Sequence, residues 1–343
     1  MKRICGKDVA LNTGYSLSTV MKVLGGNAEK YQIRPETVTR IREVARELGY
    51  QRSISASTMR RGVSPTIAVI GSVDSIRTQI VSGILKEASR NDFGMRIYDQ
   101  KNLDETFDEI FRSQIQYIIS MSVPDDLRRR TAELSRARGY KLVFIYENGV
   151  DEFPAVNVET YAAAKLVVGY LAGLGHRRIA YICAEHRRKF IGELHQGYLD
   201  GLRQEGLTPE PAWMACREDR ADAIREMLEL PLEKRPTAFF CIADDYAMLA
   251  QRCILKRGLR IPEDISVFGF GNFELAEFAY SSQSTVYNAY SEIGETACKV
   301  LLGKKCEIKI ADHGVYRVPA RLILRDSTAA PPVLELPCRK NKP

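Results

Sequence analysis

The residues between positions 8 and 24 have the types and spacing of a helix-turn-helix. Ala10 is small enough for a point where two helices cross, and Gly14 can adopt the left-handed conformation that a tight turn requires. Val20 is placed to pack a second helix against the first. The outer side of such a second helix can enter the major groove, so this spacing indicates hydrogen bonding to DNA bases. An ordinary αα-hairpin with a solvated polar face is the alternative interpretation.

The flanking residues would position these two helices on a third. Asp8 suits the first turn of one helix, where the dipole favours negative charge, and Ser16 can cap the next. Pro35 can begin a third helix because its missing N–H costs nothing there, and Gly49 ends it. Apolar side chains recur between them at helical spacing: Val38, Ile41, Val44, Ala45 and Leu48. We therefore predict an all-α helix-turn-helix head over residues 1–52.

The net positive charge of the chain arises from this head and the segment that follows it. Residues 1–64 contain twelve Lys and Arg against five Asp and Glu, a net charge of +7 that equals the charge of the whole 343-residue chain. The rest of the chain is therefore neutral. A basic head on a neutral body is typical of proteins that neutralise phosphates.

From residue 65 to residue 328, apolar strand patterns alternate with amphipathic helices. Strands are predicted at 66–71, 95–99, 116–122, 141–146, 178–183, 238–243 and 265–270, and helices at 78–91, 105–114, 125–138, 159–174, 191–205, 220–229, 244–257 and 290–302. This alternation indicates parallel sheets covered by helices on both faces, and the length fits two of them. We predict an α/β body with two lobes, each a doubly wound parallel sheet. A ligand would bind in a cleft beyond the carboxyl ends of the strands.

Several classes of protein are disfavoured by what the sequence lacks. No apolar run approaches the ~20 residues of a membrane span, and no signal peptide precedes the head, so we expect a cytoplasmic protein without a membrane partner. The eight cysteines include no CxxC pair, and Cys183 and Cys241 lie in apolar strand patterns, so neither a metal site nor a disulfide framework is expected. The chain has no P-loop, GxSxG or HExxH motif, and its four histidines are dispersed, so we expect no enzymatic activity and no cofactor.

Over nearly its full length the chain resembles the lactose-repressor/galactose-repressor (LacI/GalR) family of bacterial transcription regulators. The head carries the resemblance in DVA (8–10), TGYS (13–16), STV (18–20) and KVLGG (22–26). The body carries it in LAGLGHRRIAYI (171–182), GYLDGL (197–202), RPTAFFCIADD (235–245) and RGLRIPEDISVFGF (257–270). The resemblance implies a hinge helix over residues 53–64 and a body like two-lobed periplasmic sugar-binding proteins. It also implies a repressor that binds a near-palindromic operator, a double-stranded DNA, as a homodimer. The residues from 329 to 343 are predicted to be an extended tail.

The resemblance implies which residues contact the operator. Lys22 would donate to guanine and Leu17 would contact a thymine methyl group, while Met59 would take the place of the hinge leucine that wedges into the minor groove. The DNA-binding set implied in this way is Ser16, Leu17, Ser18, Thr19, Lys22, Ser53, Met59 and Arg60. Two features depart from the family: the proline that starts the hinge helix is missing from YQRS (50–53), and the loop GGNAEKYQIRPE (25–36) is longer.

The resemblance also implies a small-molecule effector in the cleft between the lobes. The residues expected to line it are Ser72, Asp74, Arg77, Glu147, Leu194, Asp244, Asp245, Gly271 and Asn272. Sugar-binding members carry an arginine where this chain has Leu194 and an aspartate where it has Gly271, and SVDSIRT (72–78) offers no aromatic ring. We therefore expect a cationic or amine-bearing effector, a modified sugar, or no small effector, instead of a simple hexose.

Two alternatives to an effector-regulated repressor stay open at this point. The body could respond to a partner protein, for which the basic stretch HRRKF (186–190) is a candidate contact. The chain could also be a solute-binding module without a DNA function, although its basic head and missing export signal argue against this. Whether an effector would induce or corepress is not indicated by the sequence.

Overall fold

The computed structural model describes residues 4–26, 28–50, 63–183, 189–217, 219–308 and 310–332. The chain divides into two compact units, residues 1–65 and residues 66–343. No helix within these described ranges is both long and apolar enough to span a lipid bilayer.

The first unit is the three-helix head that the sequence predicts. Its helices are α1 (Gly6–Thr13), α2 (Leu17–Leu24) and α3 (Pro35–Glu47). Gly14 follows α1 with a φ of 74°, and its N–H donates to the Ala10 carbonyl, so the tight turn depends on this glycine. Val9, Val20 and Ile41, one from each helix, are fully buried and form the centre of the core.

The second unit continues with helices and strands in regular alternation. Its first elements are β1 (Thr66–Ile70), α4 (Ser75–Arg90), β2 (Gly94–Tyr98), α5 (Leu103–Arg112), β3 (Tyr117–Ser120), α6 (Asp125–Ala137), β4 (Lys141–Ile145) and β5 (Ala155–Val158). The next are α7 (Thr160–Gly173), β6 (Ile179–Ile182), α8 (Lys189–Gln204), β7 (Met214–Ala215), α9 (Arg220–Glu229), β8 (Ala238–Cys241), α10 (Asp244–Lys256), β9 (Ser266–Phe268), α11 (Glu274–Glu277) and β10 (Thr285–Tyr287). The last are α12 (Tyr290–Leu301), β11 (Ile310–Ala311), β12 (Val315–Val318) and β13 (Arg321–Ile323).

The first lobe is built on a seven-stranded sheet in the order β11-β12-β5-β4-β3-β1-β2. Neighbouring strands are parallel except for β11 and β12. α4 and α12 cover one face, where Ile80, Ile84 and Ile293 are buried, and α5 and α6 cover the other through Phe107 and Ala132. Since both faces are covered, the central strands read as continuous apolar runs in the sequence.

The second lobe is built on a parallel four-stranded sheet in the order β7-β6-β8-β9, with a short antiparallel ribbon of β10 and β13. α7 and α8 cover one face and α9 and α10 the other. Gly197, in the motif GYLDGL, lies on α8 directly against the Tyr161 carbonyl of α7. Any side chain at position 197 would hold the two helices apart.

The chain crosses between the two lobes at three places. These are the links from β5 to α7, from β10 to α12 and from β12 to β13. The residues of these links therefore lie where the two lobes meet.

The predicted body agrees with this architecture in its elements but not in all of its details. The seven predicted strands and eight predicted helices are present, with bounds that differ by three residues at most. The short strands β5, β7, β10, β11, β12 and β13 were not predicted, because each is only two to four residues long. Ala329 is not part of a free tail: its carbonyl and N–H bond with His176 and Ser266 of the second lobe.

The expectation that the cysteines form no disulfide is wrong for one pair. Cys183 and Cys216, which follow the adjacent parallel strands β6 and β7, form a disulfide with their Cα atoms 4.6 Å apart. These residues are 33 positions apart, and sequence spacing does not reveal which strands become neighbours. Cys241 is buried and free, as its apolar surroundings predict.

Candidate functional sites

The start of α2 is a capped helix end with exposed side chains. The Ser16 hydroxyl accepts the Thr19 N–H at 3.1 Å and lies 2.9 Å from the Thr19 hydroxyl, so it caps the helix as predicted. Leu17 and Ser18 of the first turn are exposed. The cap therefore fixes the backbone at this end of the helix, while the side chains of its first turn remain free to contact the major groove of DNA.

Lys22 lies on the same side of α2 as Ser18, one turn later. Its Nζ lies 4.3 Å from the centroid of the Tyr31 ring, in the long loop between α2 and α3. The predicted DNA-contacting residues thus occupy one helix and its N-cap: Ser16, Leu17, Ser18, Thr19 and Lys22. Ser53, Met59 and Arg60, the predicted hinge contacts, lie outside the described residues.

Three predicted effector contacts form one cluster after β1, at the carboxyl edge of the first lobe. Asp74 caps α4 by accepting the Arg77 N–H at 2.8 Å, and it pairs with the Arg77 guanidinium at 2.6 Å. Arg77 also donates to the Ser72 hydroxyl at 2.9 Å. The buried Nε of Arg77 makes no hydrogen bond to the described residues. The cluster therefore retains a donor for a ligand.

A second cluster lies at the carboxyl edge of the second lobe, around the fully buried Asp244. Its carboxylate accepts from the Thr285 hydroxyl at 2.6 Å, the Gln283 amide at 2.8 Å and the Phe273 N–H at 2.7 Å. Burial raises the pKa of the Asp244 carboxyl, and these donors oppose the shift. Asp244 thus organises the edge from the interior, whereas its neighbour Asp245 is exposed.

Gly271 and Asn272 belong to the same cluster. Gly271 has a φ of 132°, and a Cβ there would lie only 2.9 Å from the Phe273 ring, so the backbone accounts for the missing aspartate. The Asn272 N–H donates to Thr285 Oγ1 at 3.3 Å, and Asn272 Oδ1 accepts from Arg325 at 2.9 Å. The structure thus brings the three positions 244, 271 and 272 together; that they contact an effector stays a prediction.

Tyr290 and Asn288 lie at the link from β10 to α12, where the chain passes from the second lobe to the first. Burial raises the pKa of Tyr290, and the charges of Asp244 and Asp74 raise it further, so a carboxylate from each lobe acts on this hydroxyl. Asn288 donates to the Tyr290 hydroxyl at 2.8 Å. Its buried Oδ1 has no hydrogen-bond donor among the described residues. Neither residue was predicted, because an Asn and a Tyr after a short strand have no distinctive sequence signal.

Glu147 lies beside a buried arginine of the first lobe. It lines an open cavity of ≈ 980 Å³ at the ends of β3 and β4, together with Arg128, Arg129 and Asn148. Arg128 donates to the carbonyls of Ser122 and Asn148, which fixes the loops after both strands. Burial lowers the pKa of Arg128 to about 10.

Leu194 does not line an open cleft. Its side chain is fully buried in the core of the second lobe, so the prediction of an effector contact is not supported there. The residue before it, Glu193, instead joins the lobes: it binds Arg317 of β12 through both carboxylate oxygens, at 3.1 and 3.2 Å. It also accepts from Thr160 at 2.6 Å. This interlobe pair was missed because its members are 124 residues apart.

Comparisons with known proteins agree with a chain made of a helix-turn-helix head and a two-lobed body. Residues 7–53 match the model of bacterial regulatory proteins of the lacI family, and residues 168–328 match a periplasmic binding protein-like domain. The HTH-type transcriptional repressor CytR of Escherichia coli K12 is 31% identical over 340 residues, which cover 95% of this chain and 96% of CytR. The chain belongs to the LacI family.

Other members support the same assignment. The ribose operon repressor of Haemophilus influenzae is 25% identical over 311 residues, covering 86% of this chain and 90% of that protein. The lac repressor dimer bound to operator and the anti-inducer ONPF is 21% identical with a TM-score of 0.71, over 96% of this chain and all of that one. The predicted fold and the predicted function, a DNA-binding transcriptional regulator, are therefore confirmed. CytR and the ribose operon repressor are both repressors.

Proposed function

We propose that this LacI-family regulator is a repressor that binds a near-palindromic operator as a homodimer, with α2 of each head in the major groove. The observation that carries the proposal is the capped, exposed start of α2, with Leu17, Ser18 and Lys22 on a basic head. The 31% identical CytR is a transcriptional repressor, and the similar lac repressor structure is a dimer on its operator.

An exposed apolar patch on the second lobe supports the homodimer. Leu275, Phe278 and Tyr280, which follow one another around α11, are 66%, 75% and 78% exposed. Large apolar side chains concentrated in this way mark interaction surfaces. A second copy of the chain is the occupant we propose, since a two-fold operator requires two identical heads.

The DNA-reading proposal is tested by selecting binding sites from random duplexes and then measuring affinity against salt. We expect a near-palindromic motif, and an affinity that falls about 10³–10⁵-fold between 50 and 200 mM salt if six to ten phosphates are contacted. Lys22→Ala should reduce discrimination at one base pair per half-site, roughly 1–3 kcal/mol. Lys256→Ala, an exposed lysine of the body, is the matched control and should leave the motif unchanged. A selection that enriches no motif would refute the proposal.

The dimer is tested by sedimentation at micromolar concentration. We expect a dimer and not a tetramer for the unmodified chain, and a shift toward monomer for Phe278→Asp, because a charge would be desolvated in the interface. Leu232→Asp changes a side chain that is 57% exposed outside this patch and should leave the dimer intact. A dominant tetramer, or equal effects of both substitutions, would contradict the proposal.

For the cleft we propose a small effector that donates hydrogen bonds, such as an amino sugar, a polyamine or a nucleoside. The support is the buried Asn288 Oδ1, which has no donor among the described residues, together with the exposed carboxylate of Asp245. An unsatisfied buried acceptor costs about 1–3 kcal/mol, which a donor on the ligand would recover. Thermal-shift screening of these classes should find stabilising compounds for the unmodified chain and weaker binding for Asn288→Ala. If no compound stabilises the protein, the partner-protein alternative gains support; its candidate segment HRRKF is not covered by the described side chains.

A further inference from the structure

Residues 28–33, in the loop between α2 and α3, form a closed turn that places an aromatic ring beside the recognition helix. Ala28 is 7% exposed and packs into the core of the head. The Ile33 N–H donates to the Ala28 carbonyl at 3.0 Å, and the Gln32 N–H donates to the Glu29 carbonyl at 3.0 Å. The loop is therefore closed at its base, and the side chain at its outer end has a defined position.

That side chain is Tyr31, which is 50% exposed. Its ring lies under the ammonium group of Lys22, 4.3 Å from Nζ to the ring centroid. A cation at this distance from an aromatic face is attracted by the ring quadrupole, and the attraction grows when water is excluded. The contact thus joins a base-reading side chain to the long loop that distinguishes this chain.

A contact that restricts the side chain matters more for base recognition by a lysine than for recognition by an arginine. The guanidinium of arginine is a planar fork that matches guanine O6 and N7, whereas the lysine ammonium is a point charge on a flexible stem. A free lysine can therefore reach several bases or a phosphate. A ring that attracts Nζ to one side of α2 favours one of these conformations before DNA binds.

We propose that Tyr31 is a positioning residue for DNA recognition: it holds Lys22 in the conformation that reads a single base pair in each half-site. The inference rests on the proposed function, in which α2 reads the major groove. Tyr31 acts through Lys22, so its contribution is to sequence discrimination and not to general affinity for phosphates.

The test compares Tyr31→Leu, Tyr31→Phe, Lys22→Ala and the double variant Tyr31→Leu/Lys22→Ala on duplexes that differ at each operator base pair. We expect Tyr31→Leu to reduce discrimination about 2- to 5-fold, and only at the base pair where Lys22→Ala also reduces it. Tyr31→Phe keeps the ring and should retain wild-type discrimination. The double variant should discriminate no worse than Lys22→Ala alone, because the two residues act as one unit. Lys30→Ala, a lysine of the same loop, is the matched control and should leave discrimination at this base pair unchanged.

Three outcomes would overturn the inference. These are a uniform loss of affinity for all duplexes in Tyr31→Leu, a Tyr31→Phe variant as impaired as Tyr31→Leu, and full additivity of the Tyr31 and Lys22 effects. Thermal unfolding of each variant separates these outcomes from a damaged head. If the unmodified protein selects no motif at all, the proposed function fails; if it selects one that Tyr31→Leu leaves unchanged, only this inference fails.

Discussion

Lowering the pH from 7 to 5 should destabilise the second lobe through one buried histidine. His176 is 1% exposed and binds Thr237 Oγ1 at 2.9 Å, Ser266 Oγ at 3.1 Å and the Ala329 carbonyl at 2.9 Å. Burial lowers the pKa of His176 from 6.5 to about 4. The ring is therefore neutral in the folded protein at pH 5, whereas it is protonated in the unfolded chain.

Acid lowers the stability because the unfolded chain binds a proton at His176 and the folded protein does not. Between pH 6.5 and pH 4 the unfolded chain takes up a proton at position 176 that the folded lobe excludes, so the free energy of unfolding falls as the pH falls through this window. With the folded pKa at about 4, this group costs about 2 kcal/mol at pH 5 relative to pH 7, and about 3 kcal/mol near pH 4.

The chain carries its own probe for this measurement. Trp213, the single tryptophan, lies in the second lobe and donates to the Lys234 carbonyl at 3.0 Å. Urea titrations followed by its fluorescence should show a midpoint about 1 M lower at pH 5 than at pH 7. His176→Gln should be less stable at pH 7 but should lose about 2 kcal/mol less than the unmodified chain on acidification.

The control is His313→Asn, which removes an exposed histidine from the first lobe and should retain the wild-type pH response. Equal pH responses of the unmodified chain and His176→Gln would refute the reasoning, since the response would then arise elsewhere.

Three further predictions concern the hinge, the interlobe pair and the effector. Met59→Ser should weaken operator binding while leaving thermal unfolding of the head unchanged, because the family resemblance assigns to this position an apolar wedge in the minor groove; unchanged operator affinity would contradict this. Arg317→Met should lower the free energy of unfolding by about 1–3 kcal/mol, since it removes the guanidinium that Glu193 binds. Adding Glu193→Gln should recover part of that loss. An Arg317→Met variant with unchanged stability would show that the pair contributes nothing. Calorimetry with common unmodified hexoses should detect no low-micromolar binding, because the chain has the core residue Leu194 and the strained Gly271 at the positions where sugar binders carry an arginine and an aspartate; tight binding of one hexose would contradict this.

Sequence reasoning succeeded where a structure is determined by neighbours in the chain. The turn at Gly14, the cap at Ser16 and the start of α3 at Pro35 each depend on residues within a few positions, so their types and spacing predict them. The long apolar strands and amphipathic helices of the body were predicted for the same reason.

The failures share a different cause, which is pairing across long stretches of chain. The disulfide of Cys183 and Cys216 requires knowing that β6 and β7 are neighbours. The interior role of Asp244 requires Thr285 and Gln283, about 40 residues later, to fold back onto it. Leu194 aligns with a ligand-binding position in relatives, yet an apolar side chain at that point of α8 packs into the core. Spacing within one segment carries no information about such partners.

The order in which the chain visits the two lobes has a consequence for its synthesis. The core of the head is built from described residues between positions 4 and 50, so its contacts can form as soon as this segment leaves the ribosome. The first lobe must wait, because β12 pairs with β5 about 160 residues after β5 is made. The second lobe waits longer still, since Ser327 and Ala329 bond to β9 at the end of the described chain. The contacts that build the helix-turn-helix head can therefore form on each nascent chain before the two lobes of the body are complete.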